Sequence, residues 1–246
     1  MEDTIAPRRV TRIRHELHRR DAVVRRITRP SPNFVAITFA DPSLAGFVSS
    51  SFDDHVKFIF TDTQGQPVRR DYTPLHHDAA QGELTIEFAL HDSGAATQWA
   101  RQAQVGDRAV IAGPRGSMVI PADYPWHLLA GDTTALPAIV RRLRELPADV
   151  SAWVLLLAED VADHRPLHSA ARLDMSWVRS PEAFLAAADA LQLPEGEGFA
   201  WAAGEASLMK RLRQLLVDGK QHPRTAMRVS AYWKQGAQEF HEDLVD

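Results

Sequence analysis

The hydrophobic pattern changes its period near residue 121, and no single sheet or helix bundle accommodates both halves. Upstream of that point, apolar residues come in short runs at 34–39, 55–60, 83–90 and 108–112. The third run alternates cleanly, with Leu84, Ile86, Phe88 and Leu90 on one face, which is the two-residue period of a half-buried strand. Asp41-Pro42, Gln64-Gly65 and Gln81-Gly82 punctuate the runs as turns. Five or more antiparallel strands spaced in this way are expected to form a small barrel, which closes its own edges.

Downstream, strand candidates at 126–130, 150–158, 174–178, 198–202 and 225–232 alternate with helical stretches. In 135–146, Leu136, Ile139, Val140 and Leu143 share a face; in 205–216, Leu208, Met209, Leu212, Leu215 and Leu216 do so, with Lys210, Arg211 and Arg213 outside. Strand and helix in alternation imply a parallel sheet with right-handed crossovers, and a nucleotide site beyond the carboxyl ends of its strands. The expected fold is therefore two domains, β followed by α/β, spanning residues 1–124 and 125–246. No low-complexity linker separates them, so they are expected to pack closely.

Charge and composition narrow the function classes. The formal net charge of -4 argues neither for nucleic acid nor for an anionic membrane surface. The longest apolar run, residues 153–158, falls far short of the roughly 20 residues of a membrane span. Residues 1–30 carry nine arginines against four acidic residues, giving a basic arm over residues 1–20. The arm reads either as a contact for an anionic partner or as a solvated lead-in to the first strand. The absence of aromatics for base stacking favours the second. Its acidic residues disfavour a transit peptide, and no apolar segment follows to suggest secretion, so a cytoplasmic location is expected; a monomer is expected as well. With no cysteine, redox chemistry must come from a bound cofactor rather than from thiols or iron–sulfur clusters. His164 with His168, and His15 with His18, lack the intervening glutamate and third ligand of a zinc helix, and no metal site is expected.

Three segments carry chemistry. Arg70-Asp-Tyr-Thr-Pro-Leu75 ends a barrel strand, and Arg70 and Tyr72, two residues apart, share a face. A guanidinium for a pyrophosphate, a ring for an isoalloxazine and the Thr73 hydroxyl suit a flavin nucleotide, although a surface strand end could carry the same residues. In His91-Asp-Ser-Gly-Ala-Ala-Thr-Gln-Trp-Ala100, Gly94 opens a helix, so the amides of Ala95, Ala96 and Thr97 offer a phosphate position. Equally, Thr97 could be an ordinary cap and Trp99 a core anchor. In 128–139, a buried strand runs through Gly131 into a helix that Asp132, Thr133 or Thr134 can cap, without the G-x-G-x-x-G spacing of a dinucleotide fingerprint.

These segments occur in order with Gly113-Pro-Arg-Gly-Ser117, Trp201-Ala-Ala-Gly-Glu205 and Tyr232-Trp-Lys-Gln-Gly236, and the succession resembles the siderophore-interacting protein family of ferredoxin-reductase-like flavoproteins. The resemblance implies an antiparallel six-stranded FAD-binding barrel, an NAD(P)-binding α/β domain, and reduction of ferric siderophores by NAD(P)H through FAD. By position it assigns FAD to Arg70, Tyr72, Thr73, His91, Gly94, Ala95, Thr97 and Trp99. Gly131, Asp132, Thr134, Gly204 and Glu205 are assigned to the nicotinamide side, and Tyr232 and Trp233 to the vicinity of the flavin. Lys57, Arg115 and Lys234 are the basic side chains that would hold an anionic ferric chelate. The family's flavin string usually ends in arginine, where this chain has Leu75 followed by His76 and His77. A flavin reductase with a non-iron acceptor, and a non-enzymatic siderophore- or flavin-binding module, are the alternatives. NADH and NADPH are both open: Glu159 suits a free ribose hydroxyl, and Arg165 a 2'-phosphate.

Overall fold

The computed structural model describes residues 9–91, 94–237 and 242–243; the first eight residues, with Arg8, Glu2 and Asp3 of the basic arm, and most of the C-terminal tail lie outside them. The N-terminal half contains β1 (Thr11–Arg14), β2 (Arg19–Ser31), β3 (Phe34–Ala40), β4 (Val56–Thr61), β5 (Pro67–Tyr72), β6 (Pro74–Asp78), β7 (Glu83–Ala89), the helix α1 (Ala95–Gln102), β8 (Arg108–Ala112) and β9 (Gly116–Val119). Among the described residues seven of these strands, not six, form one sheet in the order β5-β4-β8-β2-β3-β7-β6, and every neighbouring pair is antiparallel. The two edge strands, β5 and β6, are consecutive in the chain and meet at the single residue Thr73, so the sheet curls until its edges face one another.

Alternation fills the interior. Val56, Phe58 and Phe60 point inward from β4, and Leu84, Ile86 and Phe88 from β7, all of them buried. Each such side chain withdrawn from water contributes about 1.5–3 kcal/mol. Phe58 gathers the cluster, with ring centroids 5.2 Å from Phe88 and 4.9 Å from Trp99 of α1.

The C-terminal half contains β10 (Trp126–Asp132), α2 (Leu136–Glu145), β11 (Ser151–Leu157), β12 (Arg172–Val178), α3 (Pro181–Ala190), β13 (Gly198–Glu205), α4 (Ala206–Gln214), β14 (Met227–Trp233) and β15 (Glu242–Asp243). The sheet order is β12-β11-β10-β13-β14-β15, parallel except for the antiparallel β15. β10 is buried along its whole length because α2 and the barrel cover one face and α3 and α4 the other. The strand order reverses at β10, so the crevice for a ligand opens where β10 and β13 end side by side. Helix α3, rich in alanine, has no sharply one-sided pattern that would have announced it in the sequence.

Polar contacts lock the halves together. Asp53 accepts the Trp201 indole N–H at 3.1 Å. Asn33 donates its amide hydrogens to Asp163 and Asp160, and Glu87 pairs with Arg165. The N-terminal arm is not merely a solvated lead-in: β1 pairs with β9, and Arg9 reaches Asp123 and Glu197 while its guanidinium lies 4.4 Å from the Tyr124 ring.

His127 on β10 is 1 % exposed, and burial, aided by the Arg142 charge, pulls its pKa from 6.5 down to about 3. Above pH 6.5 the ring is neutral in the folded and unfolded chain alike. Below that pH the unfolded chain takes a proton that the fold excludes, so stability is expected to fall by up to about 1.4 kcal/mol per pH unit on acidification towards 3. Urea titrations at several pH values should show this slope, reduced in His127→Asn; an unchanged slope would mean that the folded protein accommodates the charged ring.

Candidate functional site

A cavity of about 1160 Å³ lies between the meeting edges of the barrel and the ends of β10 and β14. Its barrel wall is built by β5. Arg70 and Tyr72 stand opposite Phe58 and Val56 of β4, on the inward side, while Asp71 stands opposite Lys57 on the other. The Tyr72 ring packs 4.5 Å from Phe88, and burial pushes its phenol well above the ordinary value, so the hydroxyl stays protonated. Thr73, buried at the turn between the two edges, lines the same space.

Helix α1 points its N-terminus into the cavity. Gly94 is its cap, with φ 142°, a conformation side chains resist, and no side chain caps the helix among the described residues. The amides of Ala95, Ala96 and Thr97 therefore face the cavity as first-turn donors. The Thr97 hydroxyl turns back to accept the His91 N–H at 3.3 Å, and the His91 ring lies 5.8 Å from that of Trp233. Helix amides and the half-buried Arg70 guanidinium form the donor set that a pyrophosphate requires, next to an aromatic wall for a ring system. The residues fit FAD.

From the other half come Thr134, Pro137, Tyr232 and Trp233. Asp132 organises them. One of its carboxylate oxygens accepts the Thr134 amide at 2.9 Å and the Thr134 hydroxyl at 2.5 Å; the other accepts the Glu205 amide and the Trp233 indole N–H, each at 2.8 Å. Gly204 permits this approach, since a Cβ there would stand 2.6 Å from Asp132 Oδ2.

The cavity thus gathers Lys57, Arg70, Tyr72, Thr73, His91, Gly94, Ala95, Thr97, Thr134, Tyr232 and Trp233 from the sequence-based assignment, and the remainder lie outside its lining. Trp99 is the core anchor, its ring set among Phe39, Phe58, Phe60 and Phe88. Gly131 is required by packing, because a Cβ would meet the Ala203 carbonyl and Ala135. Asp132 is consumed by protein donors, and Glu205 caps α4 by accepting the amides of Ser207 and Leu208. Arg115 is exposed on the loop between β8 and β9, where its carbonyl accepts the His15 amide at 3.0 Å. Lys234 is exposed just beyond β14. Arg165, weighed for a 2'-phosphate, lies outside the lining and pairs with Glu87. Of the histidines weighed as metal ligands, His164 stacks on Trp177 at 4.9 Å.

Sequence reading missed Asp71 and Glu87. Asp71 lies between the two residues of its motif that share a face, and nothing local marks it. Glu87 occupies an outward position of a strand and is only 4 % exposed because the other half covers it; burial raises its pKa despite Arg165. No local signal in the sequence announces that cover.

Comparison with known proteins places the chain in a family. A family model described as siderophore-interacting FAD-binding domain matches residues 23–68 and 61–118, and one described as siderophore-interacting protein matches residues 124–236. The chain is 35% identical to an NADPH-dependent ferric-chelate reductase of Escherichia coli (strain K12), over 92% of this chain and 97% of that one. It is 28% identical to the ferric vibriobactin reductase ViuB of Vibrio cholerae, over 87% and 89%. A solved siderophore utilization protein from T. fusca superposes with a TM-score of 0.87 at 31% identity, over 93% and 97% of the two chains.

Proposed function

The chain belongs to the siderophore-interacting protein family, and from that premise we propose that it is an NADPH-dependent ferric-siderophore reductase working through bound FAD. The observation that carries the reading is one cavity in which the Arg70–Thr73 segment, the open end of α1 and the switch point of a parallel sheet converge.

Bound FAD supplies the conversion of a two-electron hydride donor into the single-electron deliveries that ferric iron accepts. The chain's residues supply placement. Arg70 and the amides of Ala95, Ala96 and Thr97 would hold the pyrophosphate, Tyr72 and Trp233 would bound the ring system, and Thr73 would offer its hydroxyl to it. Thr134 and Pro137 line the side from which a nicotinamide approaches, beyond the ends of β10 and β13. Lys57, with Arg115 and Lys234 outside the lining, would hold the ferric chelate. Reduction to Fe(II) weakens a hard-oxygen chelate, so iron leaves. The protein is proposed to act as a cytoplasmic monomer with both halves of the site on one chain; no described helix is long and apolar enough to cross a membrane.

Under anaerobic conditions, NADPH is expected to bleach the flavin absorbance of the loaded protein, and a ferric siderophore to restore it while a chromogenic chelator traps Fe(II). Absence of bleaching would reduce the protein to a binding module. Bleaching that ferric chelates do not reverse would assign it a different acceptor.

A further inference from the structure

The Lys57 ammonium does not stand alone at the cavity. Lys57 and Asp71 are direct cross-strand partners on β4 and β5, with Nζ 2.7 Å from Oδ2. Asp71 is the more enclosed of the two, its side chain 23% exposed against 46% for Lys57, and its Oδ1 is buried without a donor among the described residues. Such a carboxylate depends on this one lysine for its compensation. Apart from this pair, the described lining carries Arg69 and Arg70 against Asp62 and Glu87. Asp62 is occupied by the amides of Gln64 and Gln66, and Glu87 by Arg165.

A paired lysine acts on an approaching ligand as one end of a dipole. It retains N–H donors for hydroxamate or carbonyl oxygens, while its long-range pull on an anion is cancelled by a carboxylate one bond length of hydrogen away. We propose that Asp71 is a specificity-determining residue of the chelate site, selecting ferric chelates of low net charge, of the neutral tris-hydroxamate kind, over polyanionic tris-catecholates. The proposal rests on the reading of this cavity as a ferric-chelate site.

The test uses the FAD-loaded, oxidised protein titrated at low salt with a neutral ferric tris-hydroxamate and a trianionic ferric tris-catecholate, followed by quenching of fluorescence. Asp71→Asn, which preserves shape, is expected to tighten the tris-catecholate about tenfold and to move the tris-hydroxamate by less than about twofold, the gain fading as salt is added. Lys57→Gln should shift the tris-catecholate in the opposite direction. The double variant should return towards the parent preference, which separates a charge effect from damage to the strand pair. Equal shifts for both chelates, or none for either, would overturn the assignment of Asp71 while leaving the reductase reading intact. Failure of both chelates to bind the parent protein, or to reoxidise its NADPH-reduced flavin, would overturn the two together.

Discussion

Alanine in place of Asp132 is expected to lower the unfolding free energy by about 3–5 kcal/mol, because a buried carboxylate that satisfies several donors leaves them all stranded when it is removed. Asp132 is 6 % exposed and accepts from Thr134, Glu205 and Trp233, which stand on three different segments of the C-terminal half. Hydrogen bonds to a charged group are each worth about 1.5–3 kcal/mol, and bonds sharing one acceptor do not add fully. Asparagine discriminates between volume and hydrogen bonding. It keeps the shape, but with its oxygen turned to Thr134 its NH₂ meets two N–H donors, so Asp132→Asn should recover little of the loss. Urea unfolding reads the stability, and near-ultraviolet circular dichroism reads the Trp233 indole, whose fixed orientation depends on this carboxylate. A loss below about 1 kcal/mol would show that the donors find water instead.

Removal of the Arg70 guanidinium is expected to weaken FAD by about 30- to 100-fold, the worth of a charge-assisted contact to a phosphate. Arg70 is half-buried on an edge strand and lines the cavity. Lysine should restore only part of the affinity, since a point charge cannot reproduce the two-pronged contact. Flavin content after gel filtration and a fluorescence titration with free FAD measure the effect. Full retention of flavin in Arg70→Ala would remove this residue from the site and return its motif to a surface strand end.

The architecture was legible where it depends on local periodicity. The alternation of Leu84, Ile86 and Phe88 placed β7, and the one-sided apolar faces placed α2 and α4 within a residue or two. It was not legible where tertiary cover decides. The arm residues Thr11–Arg14 are exposed throughout and have no apolar pattern, yet they form a strand because β9 offers an edge. The seventh strand of the barrel sheet arises because Pro74–Asp78 turns away from Pro67–Tyr72 at one residue, where the sequence reads as a continuous motif. In the site, segments were found but roles were exchanged. Asp132 and Trp99 were assigned as ligand contacts by motif position, and their partners turn out to be an indole, two amides and the barrel's own rings. A motif marks where a residue stands; whether it addresses the ligand or its neighbours depends on which donors the fold brings near.

Among the described residues the two margins of the barrel sheet are not paired with one another and meet at Thr73, which amounts to a slit running beside the cavity. Arg141 reaches across from α2 to grip the carbonyl of Pro74 at 3.3 Å, so one lip of that slit is fastened to the opposite half of the molecule. The other lip, Pro67–Tyr72, has β4 as its one sheet neighbour among the described residues. A nucleotide bridging Arg70 and α1 would add a further fastening to this edge, so loss of the cofactor should be felt first as rapid amide exchange along that strand, well before the rest of the barrel opens.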